Sequence, residues 1–277
     1  LKVEGSDAST FLQGQLTAHI DIMHQGETMW AAHCNPKGRI VANFFIGKQS
    51  ENCFLLLLPA SNLSTALKNL NKYAVFSKVD ILEVSDTYRL TAINNHADTP
   101  GTYPVLRINK TLGVACMDAN TAIESTVIDD AFERQLIESG YGLVVLETSG
   151  EFIPQMLNMD LLDGISFDKG CYTGQEVIAR LKYKGEVKRR CYRFTAEFNN
   201  NDHSPIEAGT EVIDSDGKTA GTIAFTSSVD STVIGLAVLK TTIVEKNIPV
   251  FIRNTSENDK KTPCLIDPQL PPYAINN

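Results

Sequence analysis

No two of the six cysteines, at positions 34, 53, 116, 171, 191 and 264, form a Cys-x-x-Cys pair. That absence excludes a zinc ribbon, a thioredoxin-type site and a dense disulfide scaffold. The five histidines, at 19, 24, 33, 96 and 203, form no His-x-x-x-His or His-Glu-x-x-His pattern. His33 and Cys34 adjoin, but neighbours on a strand point to opposite faces, so no metal site is expected there. The longest apolar run, Cys53 to Ala60, is far too short to cross a bilayer. No basic segment precedes an apolar core at the start, so no secretory signal is visible. The chain opens on Leu1 rather than Met, and the natural chain is expected to begin upstream. Positive charge is also short: 25 Lys and Arg face 33 Asp and Glu, a net charge of −8. A chain this acidic does not coat nucleic acid by bulk electrostatics, and direct nucleic-acid binding is not expected as its main role. The expectation from these absences is a cytoplasmic protein with reduced thiols and no membrane partner, any targeting segment lying upstream of Leu1.

What is present is enough chain for two or three modest domains, 277 residues of ordinary apolar and charged content. Gly5-Ser6-Asp7 ahead of Ala8, Phe11, Leu12 and Leu16 reads as a capped short helix. Trp30 to Ile46 reads as two strands around the turn Asn35-Pro36-Lys37-Gly38. A strand over Cys53–Leu58, a helix capped by Ser61, and strands over Val79–Val84 and Tyr88–Ile93 follow. Residues 94–104 are dense in turn formers. Asp129 to Ser139 reads as a helix stopped by Gly140, with Phe132, Leu136 and Ile137 on its buried face. From Val187 short β-rich runs alternate with turns, the pattern of a small barrel or sandwich. The tail after Pro263 reads as extended over the surface.

One segment carries chemistry: Lys169-Gly170-Cys171-Tyr172-Thr173-Gly174-Gln175-Glu176. Thr173 and Glu176 match a capping box, predicting a helix that starts at Thr173 with Cys171 at its mouth. Free amides, the helix dipole and the Lys169 charge would stabilise a thiolate there. A buried structural cysteine is the competing reading. Residues 180–193 then hold seven of the 25 Lys and Arg against one acid, so this stretch is +6 and the rest of the chain −14. Such a concentration suits an anionic ligand, or a solvated hairpin at a domain junction.

The segment matches the signature of the YgfZ family, with Cys171 on the family's key cysteine. Phe11 to Thr17, Ala31 to Arg39, Lys72 to Val79 and Phe152 to Gln155 resemble further family motifs, so the resemblance covers nearly the whole chain. It implies an α+β, three-domain architecture similar to the glycine-cleavage T-protein aminomethyltransferases, with a C-terminal β-barrel and a central cavity. The expected division is a discontinuous folate-binding domain over 1–44 and 116–186, an inserted α+β domain over 45–115 and a barrel over 187–277. The implied cofactor is tetrahydrofolate or a derivative. The implied partners are iron–sulphur enzymes, such as one that thiomethylates tRNA.

Phe132, Gln155, Lys169, Gln175, Glu176, Arg180 and Lys182 are the candidate folate-binding residues, and Cys171 is the candidate catalytic residue. Phe132 would wall the pterin, with Gln13, Gln15 and Gln155 as polar partners. Arg180, Lys182 and Lys184 would face the glutamate tail. Two departures bear on activity. Val41-Ala42-Asn43 stand where aminomethyltransferases carry a carboxylate pair, so the acid that orients the amine substrate is missing. Phe132 stands where family members often have Trp, and a second such Trp would fall before Leu1. The leading expectation is a folate-binding factor that maintains iron–sulphur enzymes. The alternative is a tetrahydrofolate-dependent one-carbon transferase. A third reading is an RNA-binding module using residues 180–193.

Overall fold

The computed structural model describes residues 1–94, 103–120, 130–197, 206–229, 232–253 and 261–271. The first sheet contains β1 (Lys2–Glu4), β2 (Thr28–Cys34), β3 (Ile40–Ser50), β4 (Cys53–Leu57) and β5 (Asp80–Leu82), in the order β2-β3-β4-β1-β5. The expected β2–β3 hairpin forms. The Asn35 side chain accepts from the amides of Lys37 (2.9 Å) and Arg39 (3.1 Å), and Gly38 takes φ +71°. Only a residue without a Cβ enters that region cheaply.

Alternation along β2 and β3 sends side chains to two different cores. Phe44 and Ile46 face one core, built with α1 (Ala8–Gln15) and α2 (Leu63–Ala74) through Phe11, Leu12, Ala66 and Leu70. Trp30, Ala32 and Phe45 face a second, central core. Nine of the eleven residues of β3, Ile40 to Lys48, are therefore buried, and the strand is wrapped on both faces. Asn62, not Ser61, occupies the cap position of α2, because residues Ala60–Asn62 form a preceding turn of 3-10 helix. Its amide donates to Val41 O (2.9 Å) and Val144 O (3.0 Å) instead of capping.

A second sheet contains β6 (Tyr88–Asn94), β7 (Val105–Arg107) and β8 (Leu112–Asp118), in the order β6-β8-β7. The domain cuts expected at 44/45 and 115/116 pass through hydrogen-bonded strands, the first through β3 and the second through β8. Helix α3 (Asp130–Ser139) ends at Gly140 with φ +85°, and Phe132, Leu136 and Ile137 are buried as expected. Of the two residues expected to cap it, Asp129 or Asp130, the first lies outside the described residues and the second is the first residue of the helix. α4 spans Gln175–Lys184.

The barrel contains β9 (Arg189–Glu197), β10 (Glu211–Asp214), β11 (Thr219–Val229), β12 (Thr232–Lys240), β13 (Val250–Arg253) and β14 (Lys261–Ile266). It closes in the order β10-β11-β12-β9-β14-β13, with the short helix α5 (Thr241–Glu245) after β12. The tail expected on the surface from Pro263 is thus a barrel strand in part: β14 pairs with both β13 and β9. Closure removes the exposed edges that β9 and β13 would otherwise present, which outweighs the amide missing at Pro263. Phe225, Leu236 and Val238 of the barrel complete the central core against Phe132, Phe152, Tyr172 and Ile178.

Candidate functional site

The loop that carries Cys171 is laid along the end of α1. Ser166 N donates to Thr17 O (2.9 Å), and Thr173 N donates to Gly14 O (3.3 Å). Between them the Lys169 ammonium donates to Gln13 O (2.7 Å), Leu16 O (2.6 Å) and Ala18 O (2.7 Å). Carbonyls at the end of a helix lack intrahelical partners, and a cation there also meets the negative end of the dipole. Lys169 is buried, with its Nζ 5.0 Å from the centre of the Tyr172 ring. Burial lowers its pKa to about 8, while Asp21 acts in the opposite direction. The ammonium expected to serve Cys171 or folate thus has its three donors on the backbone.

Tyr172 turns inward to the central core, and Cys171 turns outward to solvent. Of the six cysteines, all of them described, Cys171 is the exposed one. Burial pushes Cys34 and Cys191 far up, Cys116 to about 11 and Cys264 to about 12, and it also raises Cys53. The accessible thiol is therefore the one in the signature segment, as the first of the two sequence readings requires.

The capping box does not form. α4 begins at Gln175, and its N-cap is Gly174 at φ +84°, without a side-chain cap bond. The Thr173 hydroxyl donates instead to Gln15 Oε1 (3.2 Å). Gly174 sits against the β2–β3 turn: a Cβ there would lie 2.6 Å from Asn35 O and 3.0 Å from Gly38 Cα. Close backbone approach selects glycine at 174, and the chain enters α4 from it rather than from Thr173. Gln175 is half-buried and Glu176 exposed on the first turn.

The other expected site residues separate into inner and outer groups. Phe132 and Gln155 are inside; Gln155 Nε2 donates to Ile178 O (2.7 Å), and its Oε1 is buried without a partner. Gln13 and Gln15 are occupied structurally, the first accepting from Ile20 N (2.8 Å) and the second from Thr173. Arg180, Lys182 and Lys184 are outside, on the exposed face of α4. Lys182 lies 3.7 Å from the centre of the Phe167 ring. Two cations of the basic stretch are spent on structure. Arg190 makes a bidentate pair with Asp160 (2.6 and 2.9 Å), and Arg193 pairs with Asp267.

Several residues of the inner group were not singled out from sequence. Trp30 packs edge-on to Tyr141 at 5.0 Å, and Phe45 meets the same ring at 5.3 Å. Trp30 Nε1 and the Tyr172 hydroxyl are buried with no partner, like Gln155 Oε1. The signal for Trp30 was available: it is the chain's one Trp, on a strand whose alternate residues are apolar. Asn43 is fully buried, its Nδ2 donating to Gly142 O (2.8 Å) and its Oδ1 accepting from Val144 N (2.7 Å). A neutral amide with both ends engaged therefore stands where the acid was expected to be missing.

Two cavities lie elsewhere. One of about 220 Å³ is walled by Leu55, Leu57, Leu63, Tyr88 and Cys116. Another of about 430 Å³ lies between the end of α3 and the β9–β14 seam. Neither is lined by Cys171, Phe132 or Gln155. Among the described residues, no group of three or more His, Cys, Asp or Glu side chains could hold a metal ion. No described helix is long and apolar enough to cross a membrane.

The GCVT N-terminal domain family matches residues 1–94. An uncharacterized protein of Haemophilus influenzae is 32% identical over 234 residues, covering 83% of this chain and 82% of that one. The tRNA-modifying protein YgfZ of Aliivibrio fischeri is 34% identical over 210 residues, covering 68% of this chain and 65% of the relative, just under two thirds of its length. In structure, the glycine cleavage system aminomethyltransferase T of Bartonella henselae superposes with TM-score 0.66 at 14% identity, covering 96% of this chain and 81% of that one. The sequence likenesses place the chain in the YgfZ family, and the barrel, the sheets and the structural likeness give it an α+β fold of the aminomethyltransferase T type.

Proposed function

We propose that this protein binds a reduced folate and supports iron–sulphur enzymes in the cytoplasm, and through them tRNA modification, with Cys171 as its working thiol. The observation that carries the reading is the exposure of Cys171 alone among six cysteines, on a loop that Lys169 ties to α1. A solvent-facing thiol on a fixed backbone can attack an electrophile or contact a cluster delivered by a partner. The relatives' name supplies the tRNA-modification context.

Folate fits the residues present. A pterin is flat and carries both donors and acceptors. The central core contains the aromatic rings of Phe132, Trp30 and Tyr172. It also holds two buried donors, Trp30 Nε1 and the Tyr172 hydroxyl, and one buried acceptor, Gln155 Oε1, without partners. A ligand that satisfied them would remove a desolvation penalty of roughly 1–3 kcal/mol for each group. Arg180 and Lys182, on the outer face of the helix whose inner face Gln155 touches, would receive the glutamate tail. Bound folate would supply one-carbon chemistry; the chain's own residues would hold and orient it.

The one-carbon transferase reading is weaker because of Asn43. A general base or amine-orienting acid needs a carboxylate, and this amide is neutral and doubly engaged. Titration calorimetry with tetrahydrofolate tests the ligand: heat that is lost in Phe132→Ala supports it, and none at millimolar ligand removes it. A deletion strain tests the role. Restoration of tRNA thiomethylation by wild type but not by Cys171→Ala supports it, and restoration by both refutes a working thiol.

A further inference from the structure

We propose that the end of α4 and the start of β9 form a docking site for an unpaired RNA loop, with Tyr183 as the base-stacking platform and Lys184, Lys188, Arg189 and Lys240 as phosphate contacts. The site lies beside the residues assigned to folate and goes beyond that assignment.

The carrying observation is a like-charge pair. In the antiparallel register of β9 and β12, Arg189 lies directly opposite Lys240. Residues directly opposite share one face of the sheet, and two like charges there destabilise the pairing. Among the described residues, neither these two nor Lys184 and Lys188 belong to an ion pair. Arg190 and Arg193, on the same strand, do have carboxylate partners. Cations used in folding thus stand beside Lys184, Lys188 and Arg189, which no described carboxylate engages, while Lys240 spends one donor on Thr219 O and keeps its charge uncompensated. Glu186 is the single acid between Val177 and Ala196.

The second observation is aromatic. Tyr183 is 66% exposed at the last turn of α4, beside Lys184. Its ring meets Phe167 edge-on at 6.3 Å, which steadies it without covering it. The intervening coil is anchored, because Thr241 N donates to Lys188 O (3.0 Å). A fixed, exposed aromatic flanked by unpaired cations suits a splayed base with phosphates on either side. A duplex offers no free base face to the ring, and an acidic peptide has no use for it. The relatives' tRNA-modifying name favours RNA over DNA.

The test is fluorescence anisotropy with the whole protein and a labelled RNA hairpin bearing an unpaired loop, between 50 and 200 mM salt. Three or four phosphate contacts give a slope of log affinity on log salt of about −2 to −3. Tyr183→Ala should weaken binding about ten-fold or more, and Tyr183→Phe should preserve it. Lys188→Glu with Arg189→Glu should make the slope shallower by about 1.4. Circular dichroism and calorimetry with folate confirm that each variant is folded and keeps its other ligand, so failure here is separable from failure of the folate reading. Full binding by Tyr183→Ala, equal affinity for a blunt RNA duplex, or equal displacement by polyglutamate overturns the site. Equal affinity for the same loop in DNA overturns its assignment to RNA.

Discussion

The Lys169 ammonium lies 2.6 Å from the carbonyl oxygen of Leu16, a contact across 153 positions of the chain. It converts a lysine next to the accessible thiol into a backbone tie, and it sets the first prediction.

Lys169→Met should lower stability by about 2–4 kcal/mol, because three carbonyls lose a charged donor at a buried site. The pH dependence has a defined sign. Burial lowers the folded-state pKa to about 8 from 10.5. Between those values the unfolded chain holds more protons on this lysine, so its contribution to stability rises with pH. Denaturant unfolding at pH 7.5 and 9.5 should show the wild type gaining on the variant by about 1 kcal/mol or more. A relative loss with rising pH would show that the three carbonyls outweigh burial.

Cys171 should be alkylated first of the six thiols in the native protein, since Cys34, Cys116 and Cys191 are buried, Cys53 and Cys264 are only partly exposed, and burial raises the pKa of all five. Cys171→Ala should leave stability within about 0.5 kcal/mol of wild type, as an exposed substitution. Mass spectrometry of partially alkylated protein, with a thermal melt of the variant, checks both. Faster labelling of Cys53 or Cys264 would contradict the order.

Gly174→Ala should be costly for a residue that is not itself in the core. The positive φ strains any Cβ by about 1 kcal/mol or more, and the clash with Asn35 O forces the hairpin turn and α4 apart. Denaturant unfolding should show a loss of about 2–4 kcal/mol. Gly170→Ala, where a Cβ would meet nothing within 4 Å, is the control and should be nearly silent.

Asn43→Asp separates the two functional readings. The acid cannot donate to Gly142 O, and it sets a buried charge against that carbonyl. Stability should fall by about 3–5 kcal/mol without any gain of aminomethyl transfer. Detectable transfer activity in this variant would revive the transferase reading.

Turns and helix ends governed by local chemistry were legible. Asn35-Pro36-Lys37-Gly38 bonds to itself, and Gly140 ends α3 by its own φ. The barrel strands from Arg189 to Arg253 were legible from short β-rich runs between turns. Misreadings arose where a side chain found a distant partner. Thr173 satisfies a capping pattern in sequence, yet its hydroxyl is taken by Gln15. Lys169 is two positions from Cys171 in sequence, yet it reaches the end of α1. Arg190 and Arg193 counted toward the basic stretch because their partners, Asp160 and Asp267, lie 30 and 74 positions away along the chain. β14 was read as tail because Pro263 weakens its local preference, whereas its place is decided by the two strands it joins.

The wrapping of β3 on both faces has a consequence for how the hairpin finds its alignment. A strand with one wet face resists slipping, since a shift by one residue would bury its polar side chains. Here a shift would exchange Phe44 and Ile46 for Phe45, apolar for apolar, and the polar residue it would displace is Asn43, which would leave its bonds to Gly142 and Val144. The alignment is therefore set by the Asn43 amide, by the Asn35–Gly38 turn and by the irregularity between His33 and Cys34. A hairpin with a loosened turn would be free to collapse into a compact but mispaired sheet, in which Gly38 no longer meets Val177 and α4 loses its seat.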